Sequence, residues 1–176
     1  MDNIIRPMAE NEESIVKSAH QVDKEFKDYM YGMVVSEGWS IIKRPKCIKP
    51  WTTRIGSFDM EIPELNTTVE LKYEWGVGGS VRDKWFAFPS LIAWAVRKGH
   101  LHTKRSILVI QIDTRTDRDK GGLSEEMHYI LEIKEQCKFM STSSHEILAL
   151  TVEEFKNWLS EMHTRRRADD DKKTTK

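Results

Sequence analysis

The chain has 176 residues, with 28 Lys+Arg balancing 28 Asp+Glu, so its formal net charge is zero; a protein that coats nucleic acid by bulk charge alone is excluded. Charged residues make up 32% and apolar ones 39%, which suits one globular domain with a sizeable core and excludes a disordered chain. The two cysteines, Cys47 and Cys137, exclude a disulfide framework, and with no CxxC pair present the sequence reads as a reducing-compartment chain without a structural zinc.

Residues 12–35 carry Ile15, Ala19, Val22, Phe26, Met30 and Met33 at helical spacing, which predicts one long amphipathic helix ending before Gly38. Trp39–Ile42 reads as a short strand, and the basic, proline-bearing 43–54 as a loop. Segments 55–62 and 67–74 alternate apolar and polar residues as half-buried strands do. The glycine-rich 74–84 reads as a loop, a flexible lid or a close backbone approach to substrate. It is no P-loop, because no Gly-Lys-Ser/Thr follows WGVGGS. Pro89 opens a second predicted helix that stops at Gly99. RSILVIQID (105–113) is a strongly apolar strand, 114–126 a polar loop, and MHYILEIK (127–134) a further strand. A short strand at 146–150 follows. Thr151 then caps a helix, with Glu154 as its capping-box partner. The order α-β-β-β-α-β-β-β-α predicts a mixed α/β (α+β) fold, a central sheet flanked by helices, in one domain over 1–163 with a disordered charged tail over 164–176.

The hairpin 55–74 carries the chemistry. A turn at Pro63-Glu64-Leu65-Asn66 pairs Met60 with Val69, Phe58 with Leu71, and Asp59 with Glu70. Phe58, Met60 and Ile62 then share one face with Val69, Leu71 and Tyr73, and Asp59, Glu70 and Lys72 share the other. Directly opposed side chains have Cβ atoms roughly 5 Å apart, where like charges repel. A divalent cation between Asp59 and Glu70 relieves that repulsion. Mg²⁺ suits such a site, since it takes hard oxygen ligands and keeps several waters. The Lys72 ammonium is placed to orient a nucleophilic water and to stabilise charge on a phosphate.

Asp59 followed by Glu70-Leu71-Lys72 on the next strand resembles the PD-(D/E)xK nuclease superfamily, which includes type II restriction endonucleases and archaeal Holliday-junction resolvases. The resemblance covers residues 12–113. Phe58 departs from it, standing where the superfamily has its non-ligating proline. The resemblance implies a restriction-endonuclease-like fold and a Mg²⁺-dependent endonuclease, with Mn²⁺ as substitute. Asp59 and Glu70 would bind the metal and Lys72 would assist the attacking water. Members often add an acid from the first helix. Asp23 and Glu25 flank the apolar stripe here, and Val22–Phe26 resembles the resolvases' leading helix, which favours Asp23.

A rival, Glu132-Ile133-Lys134 with Asp113, Asp117 and Asp119 upstream, lacks the crossover helix and reads as a solvent-edge strand. Two basic segments are candidate phosphate contacts: Lys43, Arg44, Lys46, Lys49 and Arg54, then Arg97, Lys98, His100, His102, Lys104 and Arg105. Arg82 and Lys84 join them, following the catalytic strand. His100-x-His102 has no HExxH context and reads as ordinary surface. Gln111 interrupts an apolar run as a satisfied polar group or an orienter. Trp85-Phe86 and Trp94 are core residues or mark a dimer surface. The expected partners are DNA and a second copy, because cutting both strands needs two sites. The N-terminal segment lacks a hydrophobic signal region and no apolar stretch approaches membrane-spanning length, so the expected location is cytoplasmic, without a membrane. A non-catalytic DNA-binding or accessory subunit of the same fold is the alternative, and a purely structural protein a third.

Overall fold

A computed structural model describes residues 18–48, 55–74, 79–112 and 122–174. In chain order the elements are α1 (Ala19–Ser36), β1 (Ile42–Lys43), β2 (Lys46–Ile48), β3 (Ile55–Ser57), β4 (Met60–Ile62), a 3-10 turn (Pro63–Leu65), β5 (Thr67–Glu74), α2 (Gly79–Arg97), β6 (Arg105–Ile112), α3 (Gly122–Met140), β7 (Glu146–Thr151) and α4 (Val152–Thr174). Five strands form one mixed sheet in the order β1-β4-β5-β6-β7, and β2-β3 is a separate hairpin. β1, β4 and β5 are antiparallel neighbours, whereas β5, β6 and β7 run parallel. Parallel neighbours need crossovers, which α2 and α3 supply.

The helices cover both faces. Ile107 and Val109 of β6 pack with Phe26, Met30 and Val34 of α1 and Phe155 and Leu159 of α4. The alternate residues Leu108 and Ile110 pack with Trp85, Phe88 and Ile92 of α2 and Ile130 and Ile133 of α3. Burial on both sides explains the unbroken apolar run of β6. The fold is therefore a mixed α/β sheet between two helical layers.

Local chemistry sets the ends of α1 and α2. Ser18 and Gln21 form a reciprocal capping box at the start of α1. Gly38 ends it at φ 84°, with the Trp39 N–H donating to the Val34 carbonyl. Gly99, at φ 69°, ends α2 the same way, with the His100 N–H on the Ala95 carbonyl. The predicted box at Thr151 is present: the Thr151 N–H donates to Glu154 Oε2 at 2.8 Å, and the Glu154 N–H to Thr151 Oγ1 at 3.3 Å.

Several expectations are corrected. The element order is α-β-β-β-β-β-α-β-α-β-α. The predicted first helix begins at Ala19 among the described residues, and 12–17 lie outside them. The first strand is Ile42–Lys43, while Trp39 is a buried core residue. The expected 43–54 loop contains Lys43 of β1 and all of β2, which pairs with β3; 49–54 lie outside the described residues. Gly79–Lys84 are helical, not loop, and 75–78 lie outside the described residues. Pro89 sits inside α2, not at its start. Residues 127–134 are helix: Ile130, Ile133 and Cys137 are all buried at three- and four-residue spacing, a period that MHYILEIK also satisfies. The tail is helical through Thr174, since neither glycine nor proline follows Thr151. Among the described residues, no helix is long and apolar enough to cross a membrane.

Candidate functional site

The hairpin register matches the sequence: Met60 pairs with Val69, Glu61 with Thr68 and Ile62 with Thr67. It breaks one residue earlier. The Asp59 N–H donates to the carbonyl of Val69, so two residues of this strand meet one of β5. The step turns Phe58 over. It joins Trp85 and Phe88 under α2, while Met60 and Ile62 face α1. The expected grouping of Phe58 with Met60, Ile62 and Leu71 is therefore wrong.

Beyond the step the two strands part, and Asp59 fills the fork. Its Oδ2 accepts from the Leu71 N–H at 2.8 Å, where a strand carbonyl would otherwise stand. Its Oδ1 lies 3.1 Å from Lys27 Nζ of α1. Its own carbonyl accepts from the Arg44 N–H at 2.9 Å and the Tyr31 hydroxyl at 3.2 Å. Every polar group of Asp59 is thereby fixed, and its side chain is only 15% exposed.

Glu70 and Lys72 alternate with Val69 and Leu71, and pair in register with Leu108 and Ile110. They therefore face the α2–α3 side, while the Asp59 carboxylate reaches from the sheet plane toward α1. The expected common face is corrected to a fork with acids on either side. Asp59 nonetheless binds the peptide that joins Glu70 to Leu71. Lys72 Nζ lies 2.5 Å from Glu70 Oε1, both about one quarter exposed (27% and 22%).

Asp23 is at the site as well. Its Oδ2 lies 2.9 Å from Lys27 Nζ, so the ammonium bridges Asp23 and Asp59. Burial works against the charge on Lys27, but the hydrogen bonds and charges of Asp23 and Asp59 outweigh it and raise its pKa. Burial, then the Asp59 charge, raises that of Tyr31. The donors are carboxylate oxygens from two elements already converging on a cation, which suits a hard divalent ion. Among the described residues no three His, Cys, Asp or Glu form a cage. Mg²⁺ typically takes only one or two carboxylates and fills its shell with water.

Of the basic candidates, Arg44 is brought beside Asp59, and Lys43 Nζ stands 4.4 Å from the centre of the Tyr31 ring. Lys46 lies in β2, and Arg82 and Lys84 in the first turns of α2. Arg54 lies outside the described residues. The second basic segment is at the far end of β5, where Arg105 pairs with Thr67 and its guanidinium binds Glu146. His102 bonds Glu61 at 3.2 Å while His100 packs on Trp94, so the two histidines do not converge. Glu132-Ile133-Lys134 is helical, with Lys134 paired to Glu154, and Asp113, Asp117 and Asp119 lie outside the described residues. Trp85 is fully buried and cannot mark a dimer surface. Gln111 pairs with Tyr73 across β5–β6. Lys27 and Tyr31 escaped the sequence analysis. The Asp23-to-Lys27 spacing of four was the available signal, but it looks like any helix-surface pair.

No protein-family model, curated protein or solved structure matches the chain.

Proposed function

We propose that this protein is a Mg²⁺-dependent endonuclease of the PD-(D/E)xK type, hydrolysing DNA phosphodiester bonds as a homodimer. The observation that carries the reading is the anchoring of Asp59 on the Glu70–Leu71 peptide, at the fork of the hairpin. That anchor ties Asp59 directly to the strand segment that carries Glu70 and Lys72, at the point where the two strands separate. The mixed sheet between two helical layers, with α2 crossing over directly after the Glu70–Lys72 strand, supports a restriction-endonuclease-like fold.

Asp59 and Glu70 would hold the ion, with Asp23 as the contribution of α1. Bound there, Mg²⁺ would supply Lewis-acid activation of water and neutralise phosphate charge. Lys72 orients the nucleophilic water and donates to the phosphate oxygen on which negative charge grows. Arg44, held against the Asp59 carbonyl, and Lys43 offer contacts to flanking phosphates. Lys46, Arg54, Arg82 and Lys84 are further candidates on the segments around the hairpin.

The test is cleavage of supercoiled plasmid with Mg²⁺ or Mn²⁺, comparing the natural chain with Glu70→Ala and Lys72→Ala. The expected outcome is metal-dependent cutting that both substitutions abolish. Cutting that survives both would remove the assignment of the site. A four-way junction beside linear duplex separates a junction resolvase from a restriction-type enzyme. A second reading, a DNA-binding or accessory subunit without catalysis, has one observation in its favour: Asp59 and Glu70 each already hold an internal lysine. It predicts a gel shift with no cleavage under any divalent metal.

A further inference from the structure

Lys27 stands where a cation serving Asp59 must stand. One oxygen of Asp59, Oδ2, is committed to the Leu71 N–H at 2.8 Å. The other, Oδ1, is the oxygen left for a ligand, and Lys27 Nζ lies 3.1 Å from it. The same ammonium lies 2.9 Å from Asp23 Oδ2. The Asp23 arm alone is an ordinary i,i+4 helix pair and explains nothing further. The Asp59 arm comes from another element and from a carboxylate largely withdrawn from water.

We propose that Lys27 is an internal counter-ion that holds Asp23 and Asp59 together in the metal-free protein and must yield Oδ1 to a divalent ion, so that it sets the metal affinity of the site. The inference rests on the nuclease reading of Asp59. Two partly buried carboxylates facing one another repel, and an ammonium between them removes that repulsion as a metal would. The lysine is suited to yielding: its charge sits on a flexible four-carbon stem, and its side chain is 25% exposed. Swinging to solvent costs it two ion pairs, and an incoming ion must supply that cost. The metal therefore competes with a tethered cation, and its apparent affinity falls by the strength of that contact.

The experiment is Mn²⁺ binding to the full chain without nucleic acid, by isothermal titration calorimetry and the electron paramagnetic resonance of free Mn²⁺. The expected result is about tenfold tighter binding by Lys27→Met than by the natural chain (about 1.4 kcal/mol), with Lys27→Arg close to natural affinity. Asp59→Asn added to Lys27→Met should abolish the gain. A merely structural role for Lys27 predicts the opposite sign, because a loosened site binds metal less well. If circular dichroism finds Lys27→Met unfolded, Lys27→Gln carries the same comparison and the same expected tightening. Measurable binding by the natural chain that is unchanged or weaker in the substituted chain overturns this inference alone and leaves the nuclease reading standing. Absence of Mn²⁺ binding in every form overturns both.

Discussion

The Asp59 carboxylate stands in for a backbone carbonyl: its Oδ2 receives the Leu71 N–H at 2.8 Å, at the point where the β4 side of the hairpin leaves the ladder. An opening in a sheet normally leaves unpaired peptide groups, each costly if buried. Here the side chain that holds the opening is also the proposed metal ligand. On that proposal one residue would serve both stability and metal binding, with its two oxygens dividing the tasks.

Asp59→Ala should destabilise the fold by about 2–3 kcal/mol, because it strands the Leu71 N–H and removes one of the two carboxylates paired with Lys27. Asp59→Asn keeps an acceptor oxygen for Leu71 and should lose roughly half of that. Urea denaturation reads both. Equal losses in the two variants would mean that the Leu71 contact contributes nothing.

Ile133 and Glu132 separate a helix from a strand at the rival motif. Ile133 of α3 is fully buried in the core that α3 shares with α2, β6 and β7, so Ile133→Ala should cost about 2–4 kcal/mol. Glu132→Ala, on the solvent side, should change stability by less than about 0.5 kcal/mol and leave any cleavage intact. A loss of metal-dependent cleavage in Glu132→Ala would return the rival motif to consideration.

How far the fold was legible follows from the reach of each signal. The Met60–Val69 register was readable because turn chemistry and period-2 alternation agree over adjacent residues. β6 was readable because four consecutive apolar residues, Ile107 to Ile110, leave little alternative to a strand buried on both faces. α3 was not, because 127–134 satisfies both periods, and the decision came from Cys137, one turn beyond Ile133, meeting β7. Nor was the side taken by Phe58, which depends on one backbone bond between Asp59 and Val69. Asp59, Glu70 and Lys72 stood out by type and spacing. Lys27 did not, because only tertiary packing brings its ammonium to Asp59.

Thr151 joins the edge strand β7 to α4, and its side chain occupies the cap. Thr151→Ala should cost about 1 kcal/mol, measured by thermal or urea denaturation. Glu154→Ala removes the other half of the box and the ion pair to Lys134, and should cost at least as much. A negligible effect of both would mean that α4 is held by Phe155 and Leu159 alone.

His145 gives the fold a pH dependence of known sign. It is buried with Thr68, Thr103 and Ser106 at the start of the parallel strands. Its Nδ1 lies 2.9 Å from the Thr103 carbonyl, which can only accept, so Nδ1 carries the proton. Its Nε2 lies 3.0 Å from Ser106 Oγ and accepts from it, which makes the native imidazole neutral. Burial pushes its pKa down; the Thr103 carbonyl opposes this, Arg105 adds to it and Glu146 opposes it. The unfolded chain therefore takes up a proton near pH 6.5 that the folded chain refuses. Above pH 6.5 this contribution to stability is fully present. It is lost as the pH falls from there through the folded value, at up to about 1.4 kcal/mol per pH unit. Urea denaturation between pH 7.5 and 5 should show the natural chain losing stability faster than His145→Gln. The amide retains a donor for the Thr103 carbonyl or an acceptor for Ser106 but cannot titrate. Parallel pH profiles for the two proteins would show that the imidazole stays neutral in neither state preferentially, and that the buried chain Thr103–His145–Ser106–Thr68 has no part in acid sensitivity.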